Sequence, residues 1–264
     1  MIAYCHVVAV QENLRLCDDH YQLILKDTGR VSESTRPGQF INLAIPNRPD
    51  LILRRPFSVA RADPKQHLLT IVYRIVGRGT KAMTDLKPGN KLDILGPLGN
   101  GWNLPVTPMN CLLLGGGCGV APLWTLAEHL RKKKCRVVTM MGFQSQKQVF
   151  GEDFFRQLGS EIVLTTDDGT YGLHGFVCEH LEAVLNNGDI DRAYICGPMD
   201  MVKTVIPRLL RKNIQGQVSL EERMGCGFGV CLSCVTDIER NGLLQKPRVC
   251  TEGPVFSIQE MKLA

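Results

Sequence analysis

The sequence predicts a small antiparallel β-barrel, then an α/β domain with a parallel sheet, then a short cysteine-bearing segment. Three observations carry that expectation. Up to about residue 102 the chain reads as short runs broken by turn signals. After Thr107-Pro108, apolar runs alternate with helical periods, and four closely spaced cysteines mark the C-terminal part. The expected boundaries are 1–103, 104–216 and 217–264.

In the first region, strands are expected around Tyr4 to Val10, Tyr21 to Leu25, Phe40 to Leu43, Leu68 to Tyr73 and Lys91 to Leu95. Turns fall at Arg36-Pro37-Gly38, Lys87-Pro88-Gly89 and Gly96-Pro97-Leu98-Gly99. Short strands between such punctuators suit a small barrel. In the second region, Cys111 to Leu114 is wholly apolar and runs into Gly115-Gly116-Gly117-Cys118-Gly119-Val120-Ala121-Pro122. Leu123, Leu126, Ala127 and Leu130 then recur at helical spacing. Further buried strands are expected at Arg136 to Met141, Glu161 to Leu164 and Ala193 to Cys196, with a helix from Val177 to Leu185. That alternation implies a parallel sheet with helices on both faces. The last segment shows little regular structure, so a metal centre is expected to organise its core.

A chain of 264 residues with 44% hydrophobic content can build two ordinary cores. The net charge of +5 is unclustered apart from Arg131-Lys132-Lys133-Lys134. That run ends a predicted helix, where cations complement the helix dipole. Only 6% of residues are aromatic, which argues against a nucleic-acid surface with stacking partners. No apolar stretch reaches the roughly 18 residues of a membrane span. Neither a basic n-region nor an apolar h-region opens the chain, and the 11 cysteines are odd in number. Thiolates destined for a metal centre need a reducing compartment, so a cytoplasmic protein is expected.

Cys226, Cys231, Cys234 and Cys250 have C-x4-C-x2-C spacing followed by a fourth cysteine after fifteen intervening residues. This is the plant-type ligand spacing of a [2Fe-2S] cluster. Glycines woven through Met224 to Cys234 let a tight loop aim backbone N–H groups at sulfur. Structural zinc usually shows two short cysteine pairs, so zinc is the weaker reading of these four, and a non-enzymatic iron-sulfur or zinc binding module is the alternative of another class. The turn Gly115, Gly116, Gly117, Gly119 to Pro122 lies between a strand and a helix, where backbone can approach a nucleotide phosphate. Its spacing departs from G-x-G-x-x-G. Arg54-Arg55-Pro56-Phe57-Ser58 and Val72-Tyr73-Arg74, followed by Gly79-Thr80, form another constellation. Arginine supplies a fork for pyrophosphate, serine a hydroxyl for a flavin or phosphate edge, and Gly79-Thr80 open backbone. Two ordinary strands with a glycine turn would leave the same trace.

The order of Arg55-Pro56-Phe57-Ser58, Gly79-Thr80, the Gly115 to Pro122 turn, Cys196-Gly197-Pro198-Met199 and the cysteine loop resembles the ferredoxin reductase superfamily. Glu222 to Cys234, with Arg248 to Phe256 behind it, looks like the electron transfer subunits of dihydroorotate dehydrogenase B. The resemblance runs from the first strand to the tail. It implies FAD held by Arg55, Pro56, Phe57, Ser58, Val72, Tyr73, Arg74, Gly79 and Thr80. It also implies NAD(H) as co-substrate on the second domain, with Cys196, Gly197 and Pro198 near the nicotinamide, and a cluster on the third. No residue of this chain is expected to act on the substrate itself.

Nicotinamide exchanges a hydride, whereas a [2Fe-2S] centre takes one electron at a time, and a flavin can join the two. Once three regions are assigned, no room remains for the (β/α)8 barrel of roughly 250 residues that orotate chemistry uses in the resembling enzymes. The resemblance therefore implies an FMN-containing catalytic partner subunit, two of each in a heterotetramer, serving pyrimidine biosynthesis. The rival within the superfamily is the small subunit of an NADH-dependent ferredoxin:NADP oxidoreductase or a sulfide dehydrogenase. Gly142-Phe143-Gln144-Ser145-Gln146 offers no arginine for a 2′-phosphate, which favours NAD.

Overall fold

The computed structural model describes residues 4–46 and 48–262. Two compact units divide the chain: Met1–Gly101 with Glu221–Thr236 and Lys246–Pro254, and Trp102–Leu220 with Asp237–Gln245 and Val255–Ala264. The C-terminal segment is thus shared, its four cysteines falling in the first unit.

The first unit contains β1 (Cys5–Arg15), β2 (His20–Lys26), β3 (Phe40–Leu43), β4 (Arg55–Asp63), β5 (Leu68–Arg74), α1 (Arg78–Met83) and β6 (Lys91–Leu98). These six strands close an antiparallel barrel in the order β1-β2-β5-β4-β3-β6. Strand periodicity sets the core: Val8 and Val10, Leu23 and Leu25, Ile41 and Leu43, Leu69, Ile71 and Tyr73, and Leu92 and Ile94 all bury in one cluster. Alternation leaves Asn42, Val72 and Arg74 on the opposite face of their strands.

Sequence alternation alone does not announce β4, because Pro56, Ser58 and Arg61 interrupt its apolar pattern. Its first half pairs with β3, from Leu43↔Arg55 to Phe40↔Ser58. Its second half pairs with β5, from Val59↔Ile71 to Asp63↔Leu68, with a bulge between Val59 and Arg61. The β4–β5 ladder therefore stops before Arg55–Ser58 and Val72–Arg74 face one another, which leaves these two segments splayed at one end of the barrel wall.

The second unit runs through β7 (Asn110–Gly116), α2 (Leu123–Lys132), β8 (Arg136–Phe143), α3 (Glu152–Gln157), β9 (Glu161–Thr166) and β10 (Leu173–His174). It continues with α4 (Leu181–Asn187), β11 (Arg192–Cys196), α5 (Met199–Arg211) and β12 (Gln215–Ser219). From the tail come β13 (Ile238–Arg240), β14 (Leu243–Gln245) and β15 (Val255–Ser257). One seven-stranded sheet has the order β10-β9-β8-β7-β11-β12-β15, and β13 pairs with β14. All its neighbours are parallel except β15, which runs antiparallel to β12 along Gln217↔Ser257 to Ser219↔Val255.

Three features differ from the sequence expectation. The helix expected over 177–185 opens as a 3-10 turn at Val177–His180, and α4 begins only at Leu181. Val177, Leu181 and Leu185 still face inward, so the apolar period was correct although the first turn is tighter. Helix α5 buries Val202, Val205, Ile206 and Leu209 despite Pro207 inside it, a breaker that hides the helix in the sequence. The tail, expected to show little regular structure, forms β13, β14 and β15, with Val255, Phe256 and Ile258 buried. Among the described residues, no helix is long and apolar enough to cross a membrane.

Candidate functional site

The four candidate cluster ligands group as two pairs. Cys226 N–H donates to Cys231 Sγ at 3.4 Å, while the N–H groups of Val230 and Cys231 donate to Cys226 Sγ at 3.3 and 3.5 Å. Cys234 and Cys250 are both 1% exposed, and their thiols lie in hydrogen-bonding reach of one another. Two adjacent dithiol pairs are the donor set that two bridged irons require, and the N–H groups aimed at sulfur suit a cluster's negative charge. Gly227 and Gly229 take φ of +81° and +92°, the left-handed region in which glycine is unstrained. Leu232 takes φ of +57° between two ligands.

The two pairs differ electrostatically. Burial, with Cys234 beside it, pushes the Cys250 thiol up to about 12. At the exposed end the Ser233 hydroxyl and N–H, then the Cys226 N–H, bring Cys231 down to about 6. Ser233 Oγ lies 3.1 Å from Cys231 Sγ and accepts from Gly225 N–H at 3.2 Å. Arg248 Nη1 closes the loop by donating to the Gly229 carbonyl at 3.0 Å. Around the exposed pair, Phe228, Val230 and Leu232 are 48%, 72% and 61% exposed, an apolar rim unusual on open surface.

The candidate flavin residues meet at the splayed end of the barrel wall. Arg55 Nη1 donates to the Leu51 carbonyl at 3.1 Å and also to that of Leu53. Its Nε lies 2.7 Å from where a Cβ on Gly79 would stand, so two segments separated in sequence form one cradle. Thr80 Oγ1 accepts from the N–H groups of Val76 and Gly77 at 2.9 and 3.2 Å, fixing that turn. Phe57 meets Tyr73 edge-on, with centroids 6.1 Å apart. Tyr73 is itself 1% exposed and donates to Asn13 Oδ1 at 3.2 Å. Its ring belongs to the barrel core, and the side chains of β5 turned away from that core here are those of Val72 and Arg74.

Arg74 is oriented by Asp19, whose Oδ2 lies 2.5 Å from its Nε. Cys17, Asp19 and His20 place ligand atoms within 4.8 Å of one another, the separation of a small metal cage. The guanidinium already pairs with Asp19, and burial holds the His20 pKa below its ordinary value. This group reads as the support of Arg74.

In the second unit the two nucleotide motifs sit side by side. Gly115 pairs in register with Cys196 at the C-terminal ends of β7 and β11. The chain order β10-β9-β8-β7 reverses there into β11-β12, the switch point at which open α/β sheets bind ligands. The glycines are required by backbone proximity. A Cβ at Gly116 would lie 2.9 Å from Pro198 Cδ, and one at Gly119 would fall on the Cys196 carbonyl and 2.8 Å from Gly197 Cα. Gly117 has φ of +52°. Pro122 is the N-cap of α2 and Pro198 that of α5, so both helices start at this crevice. Cys196 is 1% exposed.

Sequence reasoning missed Asn42, Ser233 and Arg248. Asn42 is fully buried, and its Nδ2 donates to the Cys226 carbonyl at 3.0 Å across 184 residues of chain. A separation of that length leaves no local pattern. Ser233 stood inside the motif itself and could have been found there as a hydroxyl next to two ligands.

Comparison with known proteins agrees with this geometry. A family model described as the iron-sulfur cluster binding domain of dihydroorotate dehydrogenase B matches residues 221–262. The dihydroorotate dehydrogenase B (NAD(+)) electron transfer subunit of Fusobacterium nucleatum is 38% identical over 96% of this chain and 97% of its own. That of Geobacillus kaustophilus is 41% identical over 92% and 93%. Among solved structures, an NADH-dependent reduced ferredoxin-NADP oxidoreductase superposes with a TM-score of 0.86 at 26% identity, covering 97% of this chain and 90% of that one. A flavohaem-like FAD/NAD-binding domain from Vibrio cholerae shares the fold alone, with a TM-score of 0.67 at 20% identity over 79% of this chain and 94% of that one. With relatives of this identity spanning nearly the whole chain, and the family model on its cysteine segment, the chain belongs to the family of dihydroorotate dehydrogenase B electron transfer subunits.

Proposed function

We infer that this chain is an oxidoreductase subunit that relays electrons between a dihydroorotate-oxidising partner subunit and NAD+, using [2Fe-2S] and FAD, in pyrimidine biosynthesis. The observation that carries the reading is the pairing of Cys226 with Cys231 and of Cys234 with Cys250 in the compact unit that also carries Arg55–Ser58. FAD, when bound, links two-electron exchange with nicotinamide to one-electron exchange with iron. In this reading Arg55 and Gly79 receive the FAD pyrophosphate, Ser58 the flavin edge, and Val72 and Arg74 its flank. Gly115 to Pro122 and Cys196 to Pro198 receive NAD(H). The four cysteines hold the cluster, and no side chain here performs chemistry on dihydroorotate.

The regions serving these ligands are 1–103 for FAD, 104–216 for NAD(H) and 217–264 for the cluster, the last shared between the two compact units. The partner is an FMN-containing catalytic subunit, and the assembly is a heterotetramer of two of each in the cytoplasm. The apolar rim of Phe228, Val230 and Leu232 around the exposed cysteine pair supports placing that partner against the cluster loop. The ferredoxin-NADP oxidoreductase likeness stands at 26% identity against 38% and 41% for the dihydroorotate dehydrogenase subunits, which decides between the two readings.

The test is to purify the chain anaerobically, alone and with its partner. The chain alone is expected to show flavin and cluster absorption and NADH-dependent bleaching of the flavin. The pair is expected to reduce NAD+ with dihydroorotate. Zinc in place of iron, or a pair inert toward dihydroorotate, would overturn the assignment.

A further inference from the structure

The geometry points to Asn42 as the positioning residue that fixes the cluster loop to the flavin-binding wall of the barrel, and so sets how readily the cluster accepts an electron. This inference rests on the assignment of Cys226, Cys231, Cys234 and Cys250 to a cluster and of β4 to FAD. Asn42 is a polar residue in the middle of β3, whose four residues are all buried. Ile41 and Leu43 on either side belong to the barrel core, so Asn42 takes the opposite face. In the ladder it stands opposite Pro56 of β4, inside the Arg55–Ser58 motif, and opposite Leu95 of β6. One residue therefore touches the cluster loop by its side chain and neighbours the flavin motif by its main chain.

Packing makes that contact obligatory. A Cβ on Gly227 would stand only 2.1 Å from Asn42 Nδ2, so the loop makes this approach to the strand with glycine there. Asn42 Nδ2 holds the Cys226 carbonyl, part of the peptide that joins Cys226 to Gly227, at 3.0 Å. Cys226 Sγ is the acceptor of the Val230 and Cys231 N–H groups, so the strand fixes the residue around which those donors converge. Donors to cluster sulfur stabilise the more negative, reduced state and raise its potential. The other end of the amide is unusual. Asn42 Oδ1 is buried and has no hydrogen-bond partner among the described residues. A fold selected for stability alone would place an apolar β-branched residue in such a strand. Retaining asparagine, with one end unsatisfied, is explained by the task of its other end.

The experiment uses the full chain loaded with FAD and cluster, comparing wild type with Asn42→Ala and Asn42→Thr. Threonine keeps strand propensity and is too short to reach the Cys226 carbonyl, so it serves if alanine leaves the barrel too weak to purify. Both variants are expected to retain FAD, to retain the cluster, and to be reduced at the flavin by NADH at the wild-type rate. An EPR-monitored redox titration is expected to show the cluster harder to reduce by about tenfold in equilibrium constant, about 59 mV for a one-electron couple. Stopped-flow absorbance is expected to show slower electron arrival at the cluster after flavin reduction. Gly227→Ala, which presses a methyl group onto the same amide, is expected to shift the potential in the same direction.

Wild-type potential and wild-type cluster reduction in both Asn42 variants would overturn the inference and leave the functional assignment standing. Loss of FAD and of NADH reduction together with the potential shift would also overturn it, since Asn42 would then serve the barrel as a whole. A wild-type chain that binds no cluster would remove the assignment and this inference with it.

Discussion

Arg55 Nε occupies the space above Gly79, 2.7 Å from where a Cβ on that glycine would stand. The contact joins the start of β4 to the first turn of α1 and aims a guanidinium at open backbone. In the proposed site this fork meets the FAD pyrophosphate. Hydrogen bonds to charged groups contribute about 1.5–3 kcal/mol each. Arg55→Ala is therefore expected to weaken FAD binding by about 2 kcal/mol, roughly 30-fold. Gly79→Val, which displaces the guanidinium without removing it, should weaken binding in the same direction. Fluorescence titration of the flavin-stripped chain reads both, and unchanged affinity in Arg55→Ala would remove the residue from the site.

Cys231 is the exposed member of the cluster set and accepts from the Cys226 N–H. Cys231→Ser is expected to lose the cluster's visible and EPR signals and all transfer to the partner subunit. Reduction of FAD by NADH should stay largely intact, because Arg55–Ser58 and the β7–β11 crevice do not depend on this sulfur. Loss of both activities in a variant that keeps its FAD would contradict the proposed electron path.

The proposed cluster site could be read from the sequence because three of its four cysteines lie within one loop, and their glycines are demanded by local backbone geometry. The switch-point crevice was legible in part. Gly115 to Pro122 stood out between an apolar strand and a helix, whereas its opposite wall at Cys196–Pro198 needed the resemblance to be noticed. Strand β4 was read as a set of ligands, since its ladder changes partner at Ser58/Val59 and its outward residues are polar or proline. Helix α5 was hidden by Pro207, and the antiparallel strand β15 by its distance in sequence from β12. What stayed illegible is what arises between remote segments, above all the amide of Asn42 on the Cys226 carbonyl.

Gly119 is packed against the end of β11, with the position of a Cβ falling on the Cys196 carbonyl. Gly119→Ala must push the turn after β7 away from the end of β11, and overpacking of this kind costs about 1–3 kcal/mol. The strain falls where NAD(H) is proposed to bind. The KM for NADH, measured with an artificial electron acceptor, is expected to rise by about tenfold or more, while FAD content stays at the wild-type level. A variant with lower thermal stability and an unchanged KM would show that this glycine serves packing alone.

Asp27 accepts four hydrogen bonds: from the N–H groups of Gly29, Val31 and Ser32 at 3.0, 2.7 and 3.1 Å, and from Ser32 Oγ at 2.9 Å. Burial alone would raise its pKa, but these donors, led by Ser32 and Val31, outweigh it and hold the carboxyl below its ordinary 3.8. A depressed folded-state pKa means that the unfolded chain binds the proton more readily. The stabilisation is therefore fully present above about pH 4 and is lost as the pH falls through the folded-state value. Asp27→Ala leaves buried N–H groups unpaired and is expected to destabilise the barrel unit by about 3 kcal/mol at neutral pH. Urea unfolding of wild type and variant, repeated at decreasing pH, should show the gap between them narrowing only once the pH drops below about 4. A gap that narrowed between neutrality and pH 5, or one that widened in acid, would place the stabilisation in some other group.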